Sequence, residues 1–312
     1  VLWKFPEVSL APEVIWNPGG IFPITNTLLC TWITILALVA FFYFGTRNAS
    51  LIPSGFQNFV EWIVEFVVNL VNGVVGSRKE KAARFFPWVA SFFIFILVAN
   101  LMDVLPGVDT IGTLKGEEVA HVGGNCAPVL GFLPSCQPLS LGPIHFLFGN
   151  ISNLIIPWFR PPTTDLNLTV AMALLSVGAT QFFGFYHLGA KEHLSKYFNF
   201  RALRKGPMGL IDVVVGLLEI ISEAARIISF SFRLFGNIFA GSLVLAAFAF
   251  ILPFVAAIIF IPFEIFVAVM QALIFSLLTL VFMEIGTTSH EAHEEHLVEE
   301  EQKVLQGEKA AA

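Results

Sequence analysis

Six polar residues, Asp212, Glu219, Glu223, Arg226, Arg233 and Asn237, interrupt an otherwise apolar run between Ile211 and Phe250 at separations of 7, 4, 3, 7 and 4. At about 100° per residue, all six fall within an arc of about 80°. A helix built this way is apolar over most of its surface and carries one continuous polar seam. Glu219 or Glu223 stands at helical spacing from Arg226 and can neutralise it, so a structural ion pair and a functional role are both open for Arg226. Arg233 differs: its nearest carboxylate on the same helix is Glu223, ten residues back. A guanidinium at membrane depth costs about 2.5–3.5 kcal/mol on insertion scales. It calls for an acid, and a neighbouring subunit is the natural source.

Further polar groups join the seam. Glu264 and Gln271 stand seven apart in the last apolar stretch, hence on one helical face. A carboxyl there can take up or release a proton, and the amide can donate and accept hydrogen bonds without ionising. Asn100, Asp103 and Asp109 close one earlier span, and Asp165 and Asn167 open another. Taken singly, each is an ordinary cap or interfacial residue; with the seam, they read as a wet path into a membrane. No G-x-x-x-x-G-K-[ST], H-E-x-x-H or G-x-S-x-G pattern occurs, so nucleotide or hydrolytic chemistry would belong to another chain. No cofactor and no metal site is expected.

The elements that must hold these residues follow from composition. Of the 312 residues, 56% are hydrophobic and 13% charged, and the mean hydropathy is +0.79. Soluble domains carry roughly 25% charged residues, so this chain cannot clothe two soluble domains and reads as an integral, all-α membrane protein. Five crossings are expected, near 25–43, 87–105, 168–185, 211–250 and 254–282. As one helix, the fourth would be about 60 Å long against a hydrocarbon core of about 30 Å. It must therefore tilt, bend or run partly along the membrane, giving a strongly tilted hairpin over 211–283. Pro253 and Pro262 are the expected breaks before and inside the last span. Residues 56–76 place Asn58, Glu61, Glu65, Asn69 and Asn72 on one face, which suits an amphipathic helix at the inner interface; a sixth span is the alternative.

Basic residues set the orientation. Arg47, Arg78, Lys79, Lys81 and Arg84 lie in one connection, and Lys191, Lys196, Arg201, Arg204 and Lys205 in another; the opposite side has only Lys4, Lys115 and Arg160. The two basic connections face the cytoplasm or its equivalent, with the N-terminus outside and the C-terminus inside. The organisation is then an outer segment (1–24), two spans with the interfacial helix (25–106), an outer loop insertion (107–164), a core (165–286) and an acidic inner tail (287–312). The tail holds seven glutamates, which dominate the formal net charge of -6. No basic stripe exists to meet nucleic acid. Val1 rather than Met stands first, as in a processed chain or one numbered from inside a precursor, and no signal-peptide pattern is expected ahead of the first span. No internal repeat is visible, which counts against inverted-repeat transporters.

Four stretches carry a resemblance. Ser231-Phe232-Arg233-Leu234-Phe235-Gly236-Asn237-Ile238-Phe239-Ala240-Gly241 resembles the signature of the subunit a family of F-type ATP synthases. Asn100-Leu101-Met102-Asp103-Val104-Leu105-Pro106 is similar to that family's second-span ending, Asp165-Leu166-Asn167-Leu168-Thr169 to the start of its third span and Gln271-Ala272-Leu273-Ile274-Phe275 to its final helix, and the four stretches occur in the family's order. The resemblance implies a stator subunit of a bacterial plasma membrane that is not catalytic alone. Its expected partners are a ring of c subunits with membrane-embedded carboxyls, b-type peripheral-stalk subunits, the remaining subunits of the complex and lipids. Arg233 would be the essential arginine, Asn237 and Gln271 would line the path beside it, and Arg226 and Glu219 would occupy polar positions nearer the inner side. Some relatives have Glu at the position of Ser242 and His at that of Glu264, so the resemblance implies a carboxyl relocated between neighbouring helices. The function implied is proton translocation through two offset half-channels against the rotating ring, although ion choice resides largely in the ring site. A self-contained channel or secondary transporter, or a helix-packing scaffold, would use the same polar residues differently.

Cys126 and Cys136, both in the outer loop, are expected to pair in an oxidising compartment, whereas Cys30 lies in a lipid-depth run and reads as inert. His290, His293 and His296 read as part of a solvated tail rather than a metal site. The N-x-[ST] triplets at Asn48, Asn150 and Asn167 are too short a motif to imply glycosylation.

Overall fold

In the computed structural model the described residues are 12–16, 23–47, 49–76, 78–105, 108, 112–114, 139–141, 144–146, 155–189, 193, 207–251 and 253–287. Every long element is a helix: α1 Asn26–Thr46, α2 Phe56–Val75, α3 Lys79–Leu101, α4 Leu166–Leu188, α5 Pro207–Ile251 and α6 Pro253–Gly286. All six are long and apolar enough to cross a membrane, α2 being the least apolar of them. The chain is a multi-pass α-helical membrane protein. Three short antiparallel pairs accompany the helices, Val14–Trp16 with Ile24–Thr25, Gly112–Leu114 with Ile155–Pro157, and Leu139–Leu141 with Ile144–Phe146.

Local chemistry fixes the helix ends. The Thr25 hydroxyl accepts from the Leu28 N–H at 3.3 Å and caps α1. Within α1, Thr31 and Thr34 donate to the carbonyls of Thr27 and Cys30, which satisfies hydroxyls that lipid could not. Gly55 (φ 58) and Gly76 (φ 70) bound α2 with backbone that other residues adopt at a cost. α3 starts at Lys79 and runs through Pro87, well before the start expected from hydropathy, because a proline removes only one helical donor and membrane helices tolerate it. The two expected breaks, Pro253 and Pro262, differ in outcome. Pro253 does separate α5 from α6, but α6 continues through Pro262.

The Cα packing divides the chain into two compact units. The first comprises 1–49, 94–169 and 232–272. There the 3-10 turn Pro162–Thr164 packs on α1, and the Thr27 hydroxyl donates to Asp165 Oδ2 at 3.0 Å. Ala99, Ala268 and Ala272 are fully buried; small residues let helices approach closely where lipid supplies no hydrophobic drive between them. The second unit comprises 50–93, 170–231 and 273–312. Its core is aromatic, with Phe230 and Phe92 on Phe275 (ring centroids 5.0 and 5.6 Å) and Phe85 on Phe183 (5.0 Å). Ser176 and Thr279 share a hydrogen bond of 2.7 Å that ties α4 to α6. Val60, Val67, Val71 and Val75 form the buried edge of α2.

Candidate functional site

The polar groups of the first unit meet around a cavity of about 240 Å³. Asn100 and Asp103 come from the end of α3 and the 3-10 turn that follows it, Asn237 and Gly241 from α5, and Glu264 from α6, with Ile238, Val244, Phe260 and Phe263 among the apolar walls. Two sequence patterns deliver them. Asn237 and Gly241 are one helical turn apart, and Glu264 lies two turns before Gln271. Asn237 Nδ2 donates to Gln271 Oε1 at 3.3 Å, which joins α5 to α6 beside the cavity. A methyl group at Gly241 would sit 3.6 Å from Glu264 Oε1, an ordinary van der Waals distance, so the carboxyl faces the α5 backbone with room for a methyl group beside it.

The Asn100 side chain is buried, and neither of its amide atoms bonds to a described residue; the same is true of Glu264 Oε1 and Gln271 Nε2. Buried polar groups normally find partners, and groups so placed around a cavity of this size favour its hydration. Glu264 is the ionisable group on α6 that borders the space, and Asp103 the one near α3.

Arg233 lies on α5 one turn before Asn237 and is half-buried, next to the fully buried Leu234. Ser242 follows Gly241, but its hydroxyl donates to the Phe239 carbonyl of its own helix at 3.0 Å, and it is not part of the cavity wall. Asp165 is not in that wall either. Its Oδ1 accepts from the Asn167 N–H at 2.9 Å and its Oδ2 from Thr27, so it caps the start of α4 and anchors α1, while the Asn167 side chain is exposed.

The second unit holds the rest of the seam. Arg226 donates to Glu223 Oε1 at 3.0 Å, and its guanidinium lies 3.7 Å from the Phe282 ring centroid, a cation–π contact. The ion-pair reading of Arg226 therefore has a direct geometric basis. Gln181 also hydrogen-bonds Glu223, and its Oε1 lies 2.7 Å from His193 Nε2. His193 is buried over Gly184, where a Cβ would come within 2.4 Å of its ring. Gln181 and His193 were not legible as site residues. The available signal was an amide in an apolar span, and a histidine in a basic connection gives none. Glu219 is exposed. Asp212 lies on α5 with its side chain outside the described residues, as are Asp109, Cys126, Cys136 and the acidic tail. Among the described residues no group of His, Cys, Asp or Glu is arranged to hold a metal.

Fold and site together define a polytopic membrane protein with a polar cavity among apolar helices. The chain belongs to the ATP synthase A chain family, whose match runs over residues 28–284. Among similar proteins is the ATP synthase subunit a of Trichlorobacter lovleyi, 28% identical over 259 residues, covering 83% of this chain and 86% of the relative. That of Moorella thermoacetica is 26% identical over 272 residues, covering 87% and 94%. A protein of Propionigenium modestum described as "ATP synthase subunit a, sodium ion specific" is 27% identical over 269 residues, covering 84% and 74%. This chain is accordingly a non-catalytic, proton-translocating membrane component of the synthase rather than a self-contained channel.

Proposed function

We propose that Arg233 is the charge that separates two proton half-channels and holds the ionised carboxylate of a partner c-subunit ring. The observation that carries this reading is the cavity wall of Asn100, Asp103, Asn237 and Glu264, with Asn237 bonded to Gln271 one turn beyond Arg233. A proton enters from outside past Asp103 and Glu264 and neutralises a ring carboxylate. The neutral site then turns into lipid, where a charged one would be costly. After nearly a full rotation it releases its proton on the inner side, near Glu223 and Glu219. Each charge moved through 100 mV supplies about 2.3 kcal/mol, so several protons are needed for each ATP made elsewhere in the complex.

The arrangement that suits this mechanism has five crossings, N-terminus outside and C-terminus inside, with α2 lying at the inner interface. At 1.5 Å per residue, the 45 residues of α5 span about 67 Å, so α5 and α6 form a steeply tilted hairpin against the ring. The b-type stalk subunits and the rest of the synthase complete the assembly. Asp165 and Asn167 serve this site by positioning α4, and Ser242 by its place behind Gly241. Cys126 and Cys136 pair in the outer loop.

The test is ATP-driven proton pumping in vesicles containing equal amounts of assembled complex. Arg233→Ala should abolish coupled pumping and raise passive leak while leaving insertion intact. Arg233→Lys should not restore it, because lysine lacks the planar fork of donors and deprotonates more readily when buried. Near-normal pumping by the alanine variant would make the arginine structural and remove the basis of this mechanism.

A further inference from the structure

A second polar feature belongs to the other unit and shares no residue with the cavity of Asn100 and Glu264. Arg78, Lys79, Glu80, Lys81 and Arg84, from the start of α3, and His187, from the end of α4, line a crevice of about 450 Å³. Glu284, near the end of α6, ion-pairs with Arg78 and Lys81. The starts and ends of three apolar helices therefore meet here, at the level where hydrocarbon gives way to water. Glu284 offsets part of the charge. Lys79 and Arg84 are exposed and form no ion pair with a described residue, so the crevice keeps surplus positive charge even with Glu80 in its wall.

What adjoins the crevice on the membrane side decides the ligand. One turn along α3 from Arg84 is Trp88, and one turn back along α4 from Tyr186 is Phe182; Trp88, Phe182, Phe185 and Tyr186 are all exposed. The two helices hold this surface together: Arg84 lies over the Tyr186 ring at 5.2 Å, and Trp88 packs on Phe183 at 6.3 Å. A cationic crevice continued toward the membrane interior by exposed aromatic surface has the polarity order of a phospholipid, headgroup first and acyl chain after. Tyrosine and tryptophan are the residues favoured at that depth. A soluble anion would need the cations but would have no use for the aromatic surface.

We infer that this crevice is a binding site for an anionic phospholipid, with Lys79 and Arg84 holding its phosphate and Trp88, Phe182 and Tyr186 receiving its acyl chain. The site uses none of the residues assigned to the ion path, so its failure would leave that mechanism untouched. A basic residue at a membrane surface is worth about a fivefold change in affinity for anionic lipid.

The experiment uses the assembled complex in proteoliposomes with a trace of acyl-chain diazirine phospholipid, followed by peptide mapping of the crosslinks. Phosphatidylglycerol should label the peptides carrying Trp88 and Phe182–Tyr186 at least about fivefold more than chain-matched phosphatidylcholine. Lys79→Gln with Arg84→Gln should erase that preference, and Arg84→Lys should retain it. Excess inorganic phosphate should not compete. Equal labelling by the two headgroups in the unaltered protein would overturn the inference without any variant having to fold. Loss of the preference on adding phosphate would reassign the crevice to a free anion and overturn the lipid reading.

Discussion

Glu264 stands against Gly241 across the cavity from Asn100, an acid that the polar seam of α5 does not contain. Its place on α6 follows from a spacing of seven to Gln271, whereas its approach to α5 is a matter of packing. Glu264→Gln keeps the shape, replaces one acceptor oxygen with an amide donor and cannot exchange a proton. Removal of a positioned acid or base typically costs 10²–10⁴ in rate. Because Asp103 remains in the wall, we expect a smaller loss of coupled pumping, about tenfold or more, with assembly unchanged. Pumping within a factor of two of the unaltered complex would remove Glu264 from the path. Arg226 teaches the complementary lesson: a charge in the same seam is already paired with Glu223 and stacked on Phe282. Identical residue types on one helical face therefore need not have the same surroundings.

At the scale of the element, glycines show which helix contacts are tight. Gly184 on α4 faces His193, and a Cβ there would lie 2.4 Å from Cε1, 2.7 Å from Nδ1 and 3.1 Å from the Gly286 carbonyl oxygen. Alanine must push the imidazole out of its hydrogen bond with Gln181, and overpacking of this kind costs about 1–3 kcal/mol. At Gly178 on the same helix a Cβ meets nothing within 4 Å. Thermal unfolding of the two alanine variants should therefore show a clear loss for Gly184→Ala and little change for Gly178→Ala; equal stability would contradict the packing described for His193. α2 is likewise read by its sides. A buried valine edge, exposed aromatics (Phe59, Trp62 and Phe66) and an exposed polar face (Asn58, Glu61, Glu65, Asn69 and Asn72) give it three surfaces. A helix touching protein, lipid and water along its whole length needs all three; a helix crossing the bilayer does not.

For the whole molecule, that difference sets the number of crossings and hence the side on which each end lies. Single cysteines at Asn58, Glu61, Glu65 and Asn72 should all react with a membrane-impermeant thiol reagent added to inverted vesicles if α2 lies at the inner interface. Labelling at one end of the series alone would establish a sixth crossing. In right-side-out cells, Val14→Cys should label and Ile285→Cys should not, both positions being exposed. The reverse pattern would invert the orientation drawn from the loop charges.

Much of this was legible in the chain because lipid is an unforgiving solvent. Apolar runs long enough to span it are conspicuous, and each charge inside them is costly enough to stand out, so the helices, the seam and Arg233 emerge from spacing alone. Family membership follows from the same ordered landmarks. Helix ends were harder: Pro262 looks like a break, yet it removes a single donor and α6 runs through it, and α3 begins eight residues ahead of Pro87. What spacing could not determine is which seam residues find partners on other elements. Periodicity reports the face of one helix, while hydrogen bonds form between helices far apart in the chain. Only the tertiary structure brought Asn100, Asn237 and Glu264 around one cavity, gave Asp165 to Thr27 and the α4 cap, and linked His193 through Gln181 to Glu223.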